Sequence, residues 1–258
     1  MKWPASVTLI RHGQSTYNVL REAKEQDPEY QAFKVAFNAN PRAHETLQLA
    51  EYMRGKYAMQ TSDYETPLTR GGQIQAVKTG KRLHEIIPLP EIVFHSPYER
   101  VRSTLHGLFI GWPELADLGV PKVAEDRIRE QEHGLSLLYS DWRMFHTFHP
   151  EQKELHDLLG PYWYQYPQGE SVSQVRDRTR DVLSMLIREC ADMHVMLVTH
   201  HLTILSLRAN LERLTPEEFI HLDEHEKPVN CGVTHYIGKP DEGKDGKLVL
   251  DFYNKKLY

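Results

Sequence analysis

The chain has 258 residues, 40% hydrophobic and 26% charged, with a formal net charge of -5 at pH 7. That length suffices for one large domain with a sizeable core, and the composition excludes disordered, collagen-like and coiled-coil classes. The acidic balance argues against nucleic acid and anionic membrane surfaces as partners.

Residues 7–10 read as a first buried strand, too short for a signal-peptide core, and no later stretch is apolar enough to cross a bilayer. Cys190 and Cys231 form neither a disulfide framework nor a C-x-x-C metal pair. The expectation is a soluble, cytoplasmic protein. Leu68-Thr69-Arg70-Gly71-Gly72 introduces a helix to about Ile87, with Thr69 as its cap and Pro88 and Pro90 beyond its end. Residues 92–94 form a second strand. Ser96-Pro97 then opens a helix, serine capping and proline taking the first helical position. Residues 123–128 read as an edge strand. A helix over 171–190 has Val175, Val182, Leu183, Leu186 and Ile187 spaced for one buried face. Residues 195–198 form a third buried strand, followed by helices over 201–214 and after Pro216. Late strands fall at 233–237 and 248–253, with Gly and Asp turn residues between them. Strands alternating with helices predict an α/β sheet protein.

Two stretches exceed this plan, at about 19–66 and 135–167. Long insertions in compact domains are often lids or binding loops. The expectation is one domain over 1–258 in which both cap the C-terminal edge of the sheet, with a purely structural role as the alternative.

Ligands of open α/β sheets bind at strand C-terminal ends. The first such end carries Arg11-His12, the second Ser96-Pro97-Tyr98-Glu99-Arg100, the third Thr199-His200-His201. Guanidinium groups match phosphate oxygens in pairs, and helix N-termini add N–H donors. The pattern reads as a phosphate pocket. Taken singly, each residue has an ordinary explanation, since the chain holds 15 histidines; the conjunction carries the reading.

These residues fall within a longer series of motifs. Arg11-His12-Gly13-Gln14-Ser15 is followed by Asn18, then by Pro67-Leu68-Thr69-x-x-Gly72-x-x-Gln75-Ala76 and Ser96-Pro97-x-x-Arg100. Arg129-Glu130-x-x-x-Gly134, Gly169-Glu170-Ser171 and Val198-Thr199-His200 complete it. In this order the series resembles the histidine phosphatase superfamily, in its phosphoglycerate mutase-like branch. The runs SPYERVRST, RIREQEHG and YQYPQGES are similar to a plant- and fungal-type subgroup of phosphoglycerate mutase-like phosphatases. The resemblance implies a three-layer α/β/α sandwich with a mostly parallel sheet. It implies a phosphatase acting on a small phosphorylated substrate without metal or other cofactor. It makes His12 the nucleophile and Glu130 the general acid and base. Arg11, Arg100 and His200 hold the phosphoryl oxygens, with Ser15, Thr16, Asn18 and His201 as further substrate contacts.

Chemistry agrees with these roles. Phosphoryl transfer needs positioning and charge neutralisation above all. Neighbouring cations favour the neutral imidazole, whose lone pair can attack. Fixed arginines can replace a metal ion. His201 stands where the family usually has glycine. No counterpart of the mutases' long closing segment with its arginine pair follows Glu130; Asp141-Trp142-Arg143-Met144 offers one arginine. Phosphoglycerate mutase is therefore the second reading, and a non-catalytic phosphate-binding module the third. A zinc site from His225, Cys231 and His235 is disfavoured by irregular spacing. The aromatics Tyr162, Trp163, Tyr164 and Tyr166, bracketed by Pro161 and Pro167, are expected to pack rather than to bind a base. Arg42, His44, Arg54 and Lys56 are expected to face solvent.

Overall fold

The computed structural model describes residues 3–244 and 246–258. The chain divides into two compact units. The first takes in the chain up to Ser15, Tyr64–Glu130 and Gln174–Tyr258; the second takes in Thr16–Asp63 and Gln131–Ser173.

The first unit is built on six strands: β1 (Ser6–Arg11), β2 (Ile92–His95), β3 (Lys122–Ala124), β4 (His194–Thr199), β5 (Val233–Lys239) and β6 (Lys247–Lys255). Their order in the sheet is β3-β2-β4-β1-β5-β6. β2 pairs in parallel with β3 and β4, and β1 with β4; β5 is antiparallel to both β1 and β6. Alternating side chains divide the two faces. Val7, Leu9, Phe94, Val195 and Leu197 pack on one side with Val182, Leu183, Leu186, Ile204 and Leu207. The helices there are α9 (Val172–Glu189) and α10 (His201–Glu212). Ile10, Val93, Met196 and Val198 face the other way, against Leu83, Val101, Leu105 and Leu108 of α4 (Arg70–Leu83) and α5 (Glu99–Gly111). Helices therefore cover both faces of a mostly parallel sheet, the α/β/α architecture expected. Two smaller helices, α6 (Glu114–Asp117) and α11 (Pro216–His225), complete this unit.

Several element boundaries differ from the sequence reading. α4 stops at Leu83, before the prolines, and β3 is a three-residue edge strand followed by a 3-10 turn over Asp126–Ile128. The helix after β2 does not start on Ser96-Pro97. It begins at Glu99, with Tyr98 as N-cap in extended conformation (ψ 141°), so the backbone turns helical only after that residue. Among the turn residues expected between β5 and β6, Asp245 lies outside the described residues.

Two motif segments meet behind the end of β1. Thr69 caps α4 by accepting from Gly72 N–H at 2.9 Å. Its own N–H donates to Gln14 O at 2.9 Å, and Gln75 Oε1 accepts from Gln14 N–H at 2.9 Å. Ser15 bridges Leu68 in antiparallel fashion. This approach requires glycine: a Cβ on Gly72 would stand 2.1 Å from Gln14 O. The P-L-T-x-x-G-x-x-Q segment is thus a clamp on the loop that follows His12.

The second unit comprises α1 (Thr16–Glu25), α2 (Pro28–Ala39), α3 (His44–Lys56), α7 (Trp142–Phe148), α8 (Pro150–Leu159) and a 3-10 turn over Gly134–Tyr139. The two stretches set apart in the sequence fold against each other, with Tyr30, Phe33, Phe37, Met53, Tyr139, Met144 and Phe145 in a common core. A buried ion pair ties them: Lys24 Nζ lies 2.7 Å from Asp141 Oδ2, which also accepts from Tyr30 Oη at 2.5 Å. Arg143 Nη1 donates to Tyr30 Oη at 3.3 Å, and its guanidinium lies over the Trp142 ring. Tyr162 and Tyr164 are buried while Trp163 is exposed, so the aromatic run mainly packs. Arg42 pairs with Glu154, and Lys56 with Asp27 at 2.7 Å, which accounts for two of the four basic residues noted in the sequence. Among the described residues no helix is long and apolar enough to cross a membrane.

Two predictions follow from this packing. Gly72→Ala should cost roughly 1–3 kcal/mol through overpacking, read as a lower urea midpoint. Gly71→Ala, whose nearest contact is a side-chain atom at 3.4 Å, should stay near wild type. The second concerns His146, which is fully buried beside Trp142, Phe145, His156 and Tyr164 with neither ring nitrogen hydrogen-bonded. Burial first, then the His156 and Lys153 charges, lower its pKa from 6.5 to about 4, against the opposing pull of Asp157 and Asp141. The unfolded chain therefore binds the extra proton first, and stability falls as pH drops from 6.5 toward 4. The slope contributed is up to about 1.4 kcal/mol per pH unit. Urea unfolding of wild type and His146→Phe across that window should show a shallower acid loss in the variant.

Candidate active site

β1 occupies the sheet interior between β4 and β5. Its C-terminal end delivers Arg11 and His12 beside the ends of β4 and β2. His12 N–H donates to Thr199 O at 2.9 Å, and Ser96 N–H to Val198 O at 3.1 Å. The three strand ends singled out in the sequence are therefore adjacent.

The His12 side chain is 4% exposed. Its Nδ1 lies 2.8 Å from Gly13 O. A carbonyl only accepts, so Nδ1 carries the proton and Nε2 keeps its lone pair. Burial foremost, then the charges of Arg100 and Arg11, hold this imidazole well below its ordinary pKa; the Gly13 carbonyl pulls weakly the other way. The ring is neutral at physiological pH, as a nitrogen nucleophile must be. Gly13 N–H donates to Thr104 Oγ1 at 2.9 Å, and that hydroxyl donates to Arg100 O at 2.6 Å. One turn of α5 thus fixes the His12 loop and Arg100 together.

His200 is fully buried, with its ring centroid 5.3 Å from that of His12. Its Nε2 lies 2.8 Å from Ser96 Oγ, which also accepts from Tyr98 N–H at 3.5 Å. When the Ser96 hydroxyl donates to Nε2, the ring proton sits on Nδ1. That Nδ1 is buried with no hydrogen-bond partner among the described residues, and in this tautomer it is a donor for an oxyanion. Burial, then Arg100, His12 and Arg11, lower the His200 pKa well below its ordinary value. Arg100 is 5% exposed and its guanidinium lies 4.9 Å from the Tyr98 ring centroid. Two arginines acting on two neutral histidines give a buried, strongly positive site suited to a dianion.

Glu130 ends a segment that accepts three hydrogen bonds from Arg178, one of them at Glu130 O, 3.0 Å. Ser15 is buried behind the loop, and Thr16 and Asn18 lie in the first turn of α1, in the second unit. His201 Nε2 stands 2.7 Å from Asp223 Oδ1 of α11, so its ring is tied to that helix. The suggested zinc ligands serve separate ends. Cys231 is buried beside Thr79, His235 bonds Thr8 Oγ1 at 2.9 Å, and His225 is exposed. Among the described residues no group of three or more His, Cys, Asp or Glu could hold a metal ion.

Sequence reasoning missed a second brace on β1. Arg11 Nη1 donates to Pro228 O at 2.7 Å, Asn230 Nδ2 to His12 O at 3.1 Å, and Cys231 N–H reaches Arg11 O at 3.1 Å. The acceptors are backbone carbonyls, which leave no residue-type signal. It also missed Ser96 as the partner of His200, although serine inside S-x-x-x-R was visible. Inside the second unit, Glu132 and Gly134, the later part of R-E-x-x-x-G, pair with the G-E-S motif. Glu170 N–H donates to Glu132 O at 2.7 Å, and Gly134 has a φ of 49° with no room for a Cβ beside Pro167 O.

Known proteins give a consistent picture. The family model for the histidine phosphatase superfamily (branch 1) matches residues 42–244. The match begins after β1, so Arg11 and His12 rest on the motif and geometry above. Phosphoglycerate mutase-like protein AT74H of Arabidopsis thaliana is 29% identical over 66% of this chain and 64% of its own length. Phosphoglycerate mutase-like protein AT74 of the same plant is 31% identical over 55% of this chain and 48% of its own length. The chain thus spans about half to two thirds of the curated relatives it matches. Mycobacterial glucosyl-3-phosphoglycerate phosphatase has a similar fold, with a TM-score of 0.63 and 20% identity over 97% of this chain and 98% of that one. The chain belongs to the histidine phosphatase superfamily (branch 1).

Proposed function

We propose that this protein is a phosphatase that hydrolyses a small phosphomonoester through a phosphohistidine on His12. One observation carries the reading: a buried imidazole kept neutral between Arg11 and Arg100, with Nδ1 pinned on Gly13 O at 2.8 Å. Nε2 attacks phosphorus as the ester P–O bond breaks. Arg11, Arg100 and His200 Nδ1–H hold the phosphoryl oxygens, and the leaving oxygen takes its proton from Glu130. Glu130 then removes a proton from water, whose oxygen attacks phosphorus. The P–N bond breaks, its electron pair returns to Nε2, and inorganic phosphate leaves. No step calls for a metal ion, because the guanidinium and imidazole donors supply the charge neutralisation.

Water is favoured as the acceptor over a second sugar-acid hydroxyl. Arg143, the arginine that follows the acidic motif, is held by Tyr30 Oη and Trp142 within its own unit. It is thereby occupied where a mutase would use an arginine on its substrate.

Four measurements test this. His12→Ala should lower turnover of a phosphomonoester panel by ~10³-fold or more, and rapid quench with labelled substrate should trap acid-labile phosphoprotein in wild type only. Activity should persist in excess chelator. Free phosphate should appear without interconversion of 3- and 2-phosphoglycerate; efficient interconversion would establish the mutase instead. Unchanged turnover in His12→Ala would remove the nucleophile from the scheme.

A further inference from the structure

Four consecutive carbonyls at Glu130 and just before it each accept a side-chain hydrogen bond. Arg178, on α9, donates from Nη1 to Arg127 O at 2.7 Å and Arg129 O at 2.9 Å, and from Nη2 to Glu130 O at 3.0 Å. Thr199, at the end of β4, donates to Ile128 O at 2.5 Å. Thr203, in the first turn of α10, donates to Arg129 O at 2.6 Å.

An irregular segment has no ladder to hold its backbone, and its freedom costs about 1–2 kcal/mol per residue to remove. Here no regular element holds residues 129 and 130, since the 3-10 turn ends at Ile128 and β3 ends at Ala124. A guanidinium is suited to the task, being planar, always charged and able to serve several acceptors at once. Its bonds to carbonyls are charge-assisted and stronger than neutral ones. The two threonine donors also stand on the elements that flank His200: Thr199 precedes it in the chain and Thr203 follows it by one turn. The clamp therefore references the Glu130 backbone to the same strand end that presents His200 and, through Thr199 O, His12 N–H.

We propose that Arg178, assisted by Thr199 and Thr203, is a positioning residue that sets the Glu130 carboxyl relative to the His12 phosphoryl site. The inference rests on Glu130 acting as the general acid. The bonds of Arg178 to residues 127, 129 and 130 all go to backbone carbonyls, so in this proposal it acts through Glu130 rather than on the substrate. Its charge also bears on His200, and Thr203 separates the two effects because its hydroxyl is neutral.

A general acid matters most when the leaving group is poor. The experiment measures phosphoenzyme formation by rapid quench, in single turnover, for p-nitrophenyl phosphate and for an alkyl phosphate. Glu130→Gln is the reference and should slow the alkyl ester selectively. Arg178→Gln and Thr203→Val should show the same selectivity at ~10-fold or more, and Thr203→Ser, which retains the hydroxyl, should restore wild-type behaviour. Thr203→Val removes a single bond and keeps the test available if Arg178→Gln does not fold. Equal slowing of both esters, or none, in both variants beside a selective Glu130→Gln would overturn the positioning role. A Glu130→Gln variant without selectivity would remove the acid assignment, and the proposal with it.

Discussion

The bond between His12 Nδ1 and Gly13 O, 2.8 Å long, is the constraint on which the rest of the site depends. It settles the tautomer, because a carbonyl cannot donate. Burial and two arginines then keep the second proton away from Nε2. Neither effect would suffice alone. A buried imidazole with the other tautomer would offer an N–H to the phosphorus; a correctly oriented but solvated one would be partly protonated near its ordinary pKa.

Much of the first unit serves to hold that small geometry. Thr104 fixes Gly13 from α5, Thr69 and Gln75 fix Gln14 from α4, and Asn230 and Cys231 fix the carbonyl side of His12. Ser96 orients His200, and Arg178 holds the backbone of Glu130. Nearly all these supports are neutral or bind backbone. Buried polar groups in the second unit behave differently. Lys24 and Asp141 neutralise each other at 2.7 Å, and such a pair is costly to break because either partner alone would be a buried charge. His146 has no such partner and stays neutral by burial.

The motifs seen in the sequence turn out to work in pairs. The R-H-G loop needs the P-L-T-x-x-G-x-x-Q segment because Gly72 is the one residue type that lets α4 approach Gln14. R-E-x-x-x-G needs G-E-S for a similar reason, through Glu132, Gly134 and Glu170. The reading of Ser96 as a helix cap failed on an equally local point. A serine followed by proline has the chemistry of a cap, but the backbone stays extended through Tyr98, and the Ser96 hydroxyl lies against the buried His200 ring. Arg178, Pro228 and Asn230 gave no signal at all, since what they contact or offer is main chain, the same at every residue.

By itself the sequence determined the layered α/β plan, since strand and helix periodicities are local and their order fixes the alternation. It also supplied the candidate reacting groups, Arg11, His12, Arg100, Glu130 and His200, whose chemistries few other side chains share. Tertiary structure alone decided which nitrogen of His12 carries its proton, which carbonyls brace Arg11 and Glu130, and that residues of the two long stretches share one core. The physical reason is range. Propensity and periodicity act over a few neighbours, whereas a tautomer or a backbone brace depends on an acceptor brought within about 3 Å from far along the chain.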